Sequence, residues 1–208
     1  MLRIGVLVSG GGTNLQAIID AIESGKIPDS RIELVISNIQ DAGALDRAAA
    51  AGIATEIIKR SEYDSGEDFD EALSQTLSTY SIDLVILAGF MAILGPGFFT
   101  KFENRVMNIH PALIPSFSGP GFYGLKVHKA VLAAGCKITG ASVHFVTPEV
   151  DAGPLIIQKA VAVEQGDTPE LLQQRVMKEA EWVIYPEAIR LFALGLLEVQ
   201  GRQVIINQ

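Results

Sequence analysis

The segment Val106-Met107-Asn108-Ile109-His110-Pro111 carries the residue types best suited to chemistry in this 208-residue chain. In an extended strand residues two apart share a face, so Asn108 and His110 project together while Met107 and Ile109 project oppositely. Pro111 ends the pairing and leaves both polar groups at the carboxyl end of the strand, where open α/β sheets bind their ligands. A carboxamide there can donate to a developing oxyanion, and an imidazole can exchange protons near neutral pH. Asp151, in the loop Val150-Asp151-Ala152-Gly153-Pro154, is the third member. If the strand over 140–146 neighbours the one bearing His110, its carboxylate reaches the imidazole and stabilises the protonated form. A hydrogen-bonded core histidine and a turn-forming aspartate fit the same residues, and spacing leaves both readings open.

A second constellation lies near the start. Ser9-Gly10-Gly11-Gly12-Thr13 follows an apolar strand and leads into a helix. Glycines let the backbone approach an anion, and the helix start offers free N–H groups and the positive end of its dipole. Gly12, Thr13 and Asn14 can thus hold a phosphate with main-chain amides and one hydroxyl, without a basic side chain. A tight strand-to-helix turn with no ligand is the alternative. A dinucleotide site is opposed by two details. The third glycine of G-x-G-x-x-G falls on Leu15, and the second strand ends Ser37-Asn38 with no acidic residue to hold a ribose.

The elements that must position these residues alternate between strand-like and helix-like runs, the pattern of parallel α/β folds. Strands are predicted over 2–8, 32–37, 54–58, 84–88, 106–109, 140–146 and 155–163, the last antiparallel or at an edge. Helices are predicted over 14–24, 42–51, 67–80, 126–134 and 168–194. Leu15, Ile18, Ile19 and Ile22 recur at helical spacing in the first. The last opens Asp167-Thr168-Pro169-Glu170, with capping residues and an early proline, and its buried face is expected to carry Leu172, Val176, Ala180, Val183 and Ile184. The stretch 117–124, with Gly119, Pro120, Gly121 and Gly124, reads as an irregular loop, and 197–206 as a hairpin turning near Gln200-Gly201-Arg202. The expected architecture is an α/β fold with a Rossmann-like, mostly parallel central sheet flanked by helices. We expect one domain over 1–208, with a phosphate-binding half over 1–100 and a catalytic half over 101–208.

Composition narrows the function classes. Hydrophobic residues make up 49% of the chain and charged residues 19%, enough for a large core. No apolar run approaches the ~18 residues of a spanning helix. The formal charge of −8, without Lys/Arg clusters, lacks the field that nucleic-acid binding needs. The single cysteine, Cys136, cannot form an intramolecular disulfide and suits a reducing compartment. With a first strand beginning at Leu2 and no room for a signal peptide, a cytoplasmic location is expected. Asn108, His110 and Asp151 are not a convincing metal-ligand set, and His128 on a helix and His144 inside a strand read as structural; no metal is expected.

Taken together, the segments resemble the phosphoribosylglycinamide formyltransferases, a family of the folate-dependent formyltransferase superfamily. The resemblance covers essentially the whole chain. It rests on residues 9–18 (SGGGTNLQAI), 87–91 (LAGFM), 108–115 (NIHPALIP) and 143–146 (VHFV) followed by Asp151-Ala152-Gly153-Pro154. It implies the formyltransferase fold and transfer of a formyl group from 10-formyltetrahydrofolate, as co-substrate and without a metal, to the amine of glycinamide ribonucleotide in purine synthesis. It assigns Asn108, His110 and Asp151 to catalysis, and Gly12, Thr13, Asn14, Met91 and Glu181 to the ribonucleotide. Folate binding falls to Met91, Ala92, Ile93, Leu94, Asn108 and the loop Val146, Thr147, Pro148, Glu149, Val150 and Asp151. The family often has arginines where this chain has Gly66 and Ala92, a departure that bears on folate-tail affinity and not on the chemistry. Small-molecule substrates are the expected partners of a monomer or homodimer, with no nucleic acid and no membrane. A deformylase that passes the formyl group to water shares this site, but such enzymes carry an extra N-terminal domain; a silent folate or nucleotide binder is the remaining alternative.

Overall fold

Apolar β1 (Leu2–Val8) lies between two parallel neighbours, β2 (Ser30–Ser37) and β4 (Leu84–Leu87), and Ile4, Val6, Leu7 and Val8 are fully enclosed. Burial on both faces is why these strands read as continuous apolar runs rather than alternating ones. The structure, a computed structural model, describes residues 1–207. It resolves into two compact units, one over 1–108 and one from Ile109 onward.

In the first unit β3 (Ala54–Ile57) pairs with β2, and β5 (Val106–His110) pairs with β4 through Val106, Met107 and Asn108, all in parallel. The resulting order is β3-β2-β1-β4-β5. The strand order reverses beside β1, so the turn after β1 sits at the switch point where such sheets leave a crevice. Helices α1 (Thr13–Glu23), α2 (Gly43–Ala50) and α3 (Gly66–Thr79) make the crossovers. α1 buries Leu15, Ile18 and Ile19 as their spacing predicts, and α3 buries Phe69, Leu73 and Leu77. Sequence periodicity gave no sign of α4 (Pro96–Lys101), which is only six residues long. It starts on proline, and its first turn is tied down by Gly95 N–H donating to Asp70 Oδ2 at 2.6 Å.

The second unit holds α5 (Leu125–Ala133), β6 (Ile138–Phe145), β7 (Leu155–Ala162), α6 (Pro169–Val176), α7 (Trp182–Ala193) and the hairpin β8 (Leu197–Gln200) and β9 (Gln203–Ile206). β7 runs antiparallel to β6, and β9 lies on its other side, so β7 is not an edge strand. The hairpin turns on Gly201 and Arg202, with Gly201 in the left-handed region. The α/β class expected from the sequence holds, with the antiparallel strands confined to this unit.

One expectation fails here. The long helix over 168–194 is interrupted by a π turn, Met177–Glu181, between α6 and α7. A π turn adds a residue to the helical repeat and shifts every later side chain around the axis. Leu172, Val176, Ala180 and Ile184 are buried as expected, but Val183 is 47% exposed and Tyr185 is fully enclosed instead.

Candidate active site

Asp151 sits at the centre of a buried polar cluster in the second unit. Its Oδ2 accepts the Gly119 N–H at 2.9 Å and lies 3.3 Å from His110 Nδ1, while Oδ1 lies 3.7 Å from His144 Nε2. The other nitrogen of each ring is held by a main-chain carbonyl: His110 Nε2 donates to Phe117 O at 2.8 Å, and His144 Nδ1 donates to Phe145 O at 2.9 Å. Because a carbonyl can only accept, His110 in its neutral form keeps its proton on Nε2 and presents Nδ1 to the carboxylate.

The backbone that carries these groups is constrained. Asp151 has φ 54°, a left-handed conformation that aspartate tolerates better than most residues. Two residues on, a Cβ on Gly153 would overlap the Phe145 carbonyl oxygen, so only glycine lets the loop return beside β6, where Phe145 N–H donates to Pro154 O at 2.9 Å. The segment after His110 is fastened by Ser142, whose hydroxyl donates to Ala112 O at 2.7 Å and accepts the Ile114 N–H at 3.1 Å.

Charge follows from this geometry. Burial alone pushes the Asp151 carboxyl up, but the His144 hydrogen bond, the His110 charge and the Gly119 amide together hold it below the usual carboxylate range. Burial also pushes His110 below the ordinary imidazole value, and the opposing pull of Asp151 and of Phe117 O does not restore it. Asp151 therefore raises the basicity of His110, as the sequence predicts, without keeping the ring charged at rest.

In the first unit the glycine turn has the shape an anion site requires. Gly12 caps α1 at φ 73° with no side-chain cap, and no acidic residue occupies the first turn. A Cβ on Gly12 would stand 2.7 Å from Ala44 Cα, so conformation and packing both demand glycine. Met91 is brought to the root of this turn: its N–H donates to Ser9 Oγ at 2.8 Å, and the Ser9 hydroxyl donates to Asn38 Oδ1 at 2.6 Å. The side chains of Met91 and Ile93 are exposed and Leu94 is buried. Among the described residues no group of three His, Cys, Asp or Glu side chains is arranged to hold a metal ion.

A family model described as formyl transferase matches residues 2–189. The phosphoribosylglycinamide formyltransferase of Escherichia coli (strain K12) is 44% identical over 198 residues, covering 95% of this chain and 90% of the relative. The chain belongs to the phosphoribosylglycinamide formyltransferases of the formyl transferase family. A crystal structure of glycinamide ribonucleotide transformylase 1 from Symbiobacterium toebii matches with a TM-score of 0.94 at 48% identity, over 100% of this chain and 95% of that one. The trifunctional purine biosynthetic protein adenosine-3 of Gallus gallus is 46% identical over 200 residues, 95% of this chain. This formyltransferase chain spans only 19% of that protein's length.

Measured against the residues predicted for such a formyltransferase, the structure brings His110 and Asp151 into contact and places Asn108 two positions before His110 on β5. Val146 and Thr147 are half-buried, and Pro148, Glu149 and Val150 form an exposed turn before Asp151. Glu181 is buried in the π turn rather than solvated on a regular helix. Sequence reasoning missed His144, set aside as structural, which shares the Asp151 carboxylate. It also missed Ser9, whose link to Met91 spans 82 positions. Alternation along β6 puts His144 and Ser142 on one face and was the available signal; nothing local announces the Ser9 contact.

Proposed function

We propose that the protein transfers the formyl group of 10-formyltetrahydrofolate to the amine of glycinamide ribonucleotide, acting in the cytoplasm as one formyltransferase domain. The observation that carries this reading is the Asp151 carboxylate flanked by two histidines, in a chain that belongs to this family. The amine attacks the formyl carbon, and the carbonyl π electrons move to oxygen, giving a tetrahedral oxyanion. Asn108 donates to that oxygen together with His110 Nε2–H. In the resting protein the Phe117 carbonyl takes this donor, which marks where an acceptor oxygen fits. The surrounding loop, with Phe117, Gly119, Gly121 and Gly124 all at positive φ, gives it up when the oxyanion forms.

The amine proton passes, through a water ordered by Asp151, to the His110–Asp151 pair. It is then returned to the folate nitrogen as the C–N bond to that nitrogen breaks. Gly12, Thr13 and Asn14 hold the substrate phosphate and Glu181 a part of the ribonucleotide. The Met91–Leu94 backbone and the Val146–Asp151 loop hold the folate head group. Preorganised donors of this kind are each worth about 10²–10³ in rate.

The decisive experiment follows folate absorbance when protein meets 10-formyltetrahydrofolate with and without glycinamide ribonucleotide. Change only with the ribonucleotide is expected. Equal change without it means a deformylase, and none in either arm means a silent binder.

A further inference from the structure

An acidic protein that binds a phosphorylated substrate must supply positive charge locally, and one cation lies on the glycine turn. Arg47, on α2, donates from Nε to the Gly11 carbonyl at 2.8 Å and from Nη1 to Gln16 Oε1 at 3.2 Å. Gln16 in turn donates from Nε2 to Asp20 Oδ1 at 2.8 Å, which orients its amide so that the oxygen faces Arg47. The Ala44 N–H holds the neighbouring Gly10 carbonyl at 3.0 Å. Two successive carbonyls of the turn are thus tied to α2. The Arg47 stem also passes the turn closely, with Cδ 3.3 Å from where a Gly12 Cβ would stand. A guanidinium has five donors and is always charged. The bonds from Nε and Nη1 fix its plane and leave further donors for an anion.

We propose that Arg47 is a positioning residue for the substrate phosphate, making the turn selective for a phosphorylated acceptor over its dephosphorylated form. By neutralising and holding the Gly11 carbonyl, it removes an oxygen that would repel the anion. Its charge lies beside the Gly12–Asn14 amides, where it offsets the field of a chain carrying −8. This rests on the transferase reading above and deepens it.

The test compares the parent protein with Arg47→Gln and Arg47→Lys, using glycinamide ribonucleotide, the same compound without its phosphate, and inorganic phosphate as a binding probe. Arg47→Gln is expected to raise KM for the ribonucleotide about 10–100-fold, the worth of one charge-assisted contact, with the KM for the folate unmoved. Arg47→Lys recovers part of the loss, because it restores charge without the planar fork. With the dephosphorylated acceptor, parent and Arg47→Gln should have equal kcat/KM. A loss of the same size with both acceptors would reduce Arg47 to a scaffold residue and overturn the proposal, as would an unchanged ribonucleotide KM. Phosphate titration separates the two levels. A parent that binds phosphate better than Arg47→Gln yet transfers no formyl group keeps the role of Arg47 and ends the transferase reading. Equal phosphate binding by both ends the role of Arg47.

Discussion

At the scale of the residue, Asp151 serves two histidines whose outer nitrogens are already committed to carbonyls. Replacing it with asparagine separates structure from charge. The new amide can accept from Gly119 N–H and donate to the lone pair of His110, so the local hydrogen bonds survive. What disappears is the negative charge that draws a proton into the cluster. Asp151→Asn is expected to keep the parent's thermal transition within a few degrees while kcat falls about 10²–10⁴-fold, the range of general acid–base catalysis. Near-normal turnover would show that the carboxylate is a structural link only.

The π turn Met177–Glu181 shows what a single element decides. Its extra residue turns Glu181 and Tyr185 inward and Val183 outward, which a strict helical repeat through 176, 180 and 183 does not allow. Side-chain truncation reads this register directly. Val183→Ala should change unfolding free energy by less than about 0.5 kcal/mol, as exposed substitutions do. Ile184→Ala, one position later and only 4% exposed, should cost about 2–5 kcal/mol in a denaturant titration. Equal costs at the two sites would mean that the helix continues without interruption.

For the whole molecule, pH sets stability through His128, which lies fully buried on α5 with neither ring nitrogen hydrogen-bonded among the described residues. Burial, with a smaller push from His110, lowers its pKa from 6.5 to about 4. The folded value lies below the unfolded one, so the unfolded chain takes the proton first. Stability is complete above 6.5 and declines as pH falls toward about 4. At ~1.4 kcal/mol per pH unit the loss is about 3 kcal/mol. Urea titrations across this window should show a shallower slope for His128→Gln than for the parent; identical slopes would mean that His128 is solvated. Much of the molecule was legible before any coordinates. Apolar runs of strand length and helical repeats register burial directly, so β1, α1, α3 and β6 were found from residue order. Asn108 and His110 were paired because strand geometry is local, and the glycine turn because only glycine accepts such a backbone at Gly12. The sequence by itself determined most element types, the glycine turn and which residues are candidates for chemistry, since each depends on interactions among near neighbours. Only the tertiary structure decided that Asp151 faces both His110 and His144, that Ser9 anchors Met91, that Arg47 closes on Gly11 and that the last helix slips its register. Those arrangements depend on side chains 30 or more positions apart for Ser9 with Met91, Arg47 with Gly11 and Asp151 with His110, or on packing that overrides a helix's own repeat. No local pattern of residues encodes such distances; the pairing of strands and helices sets them.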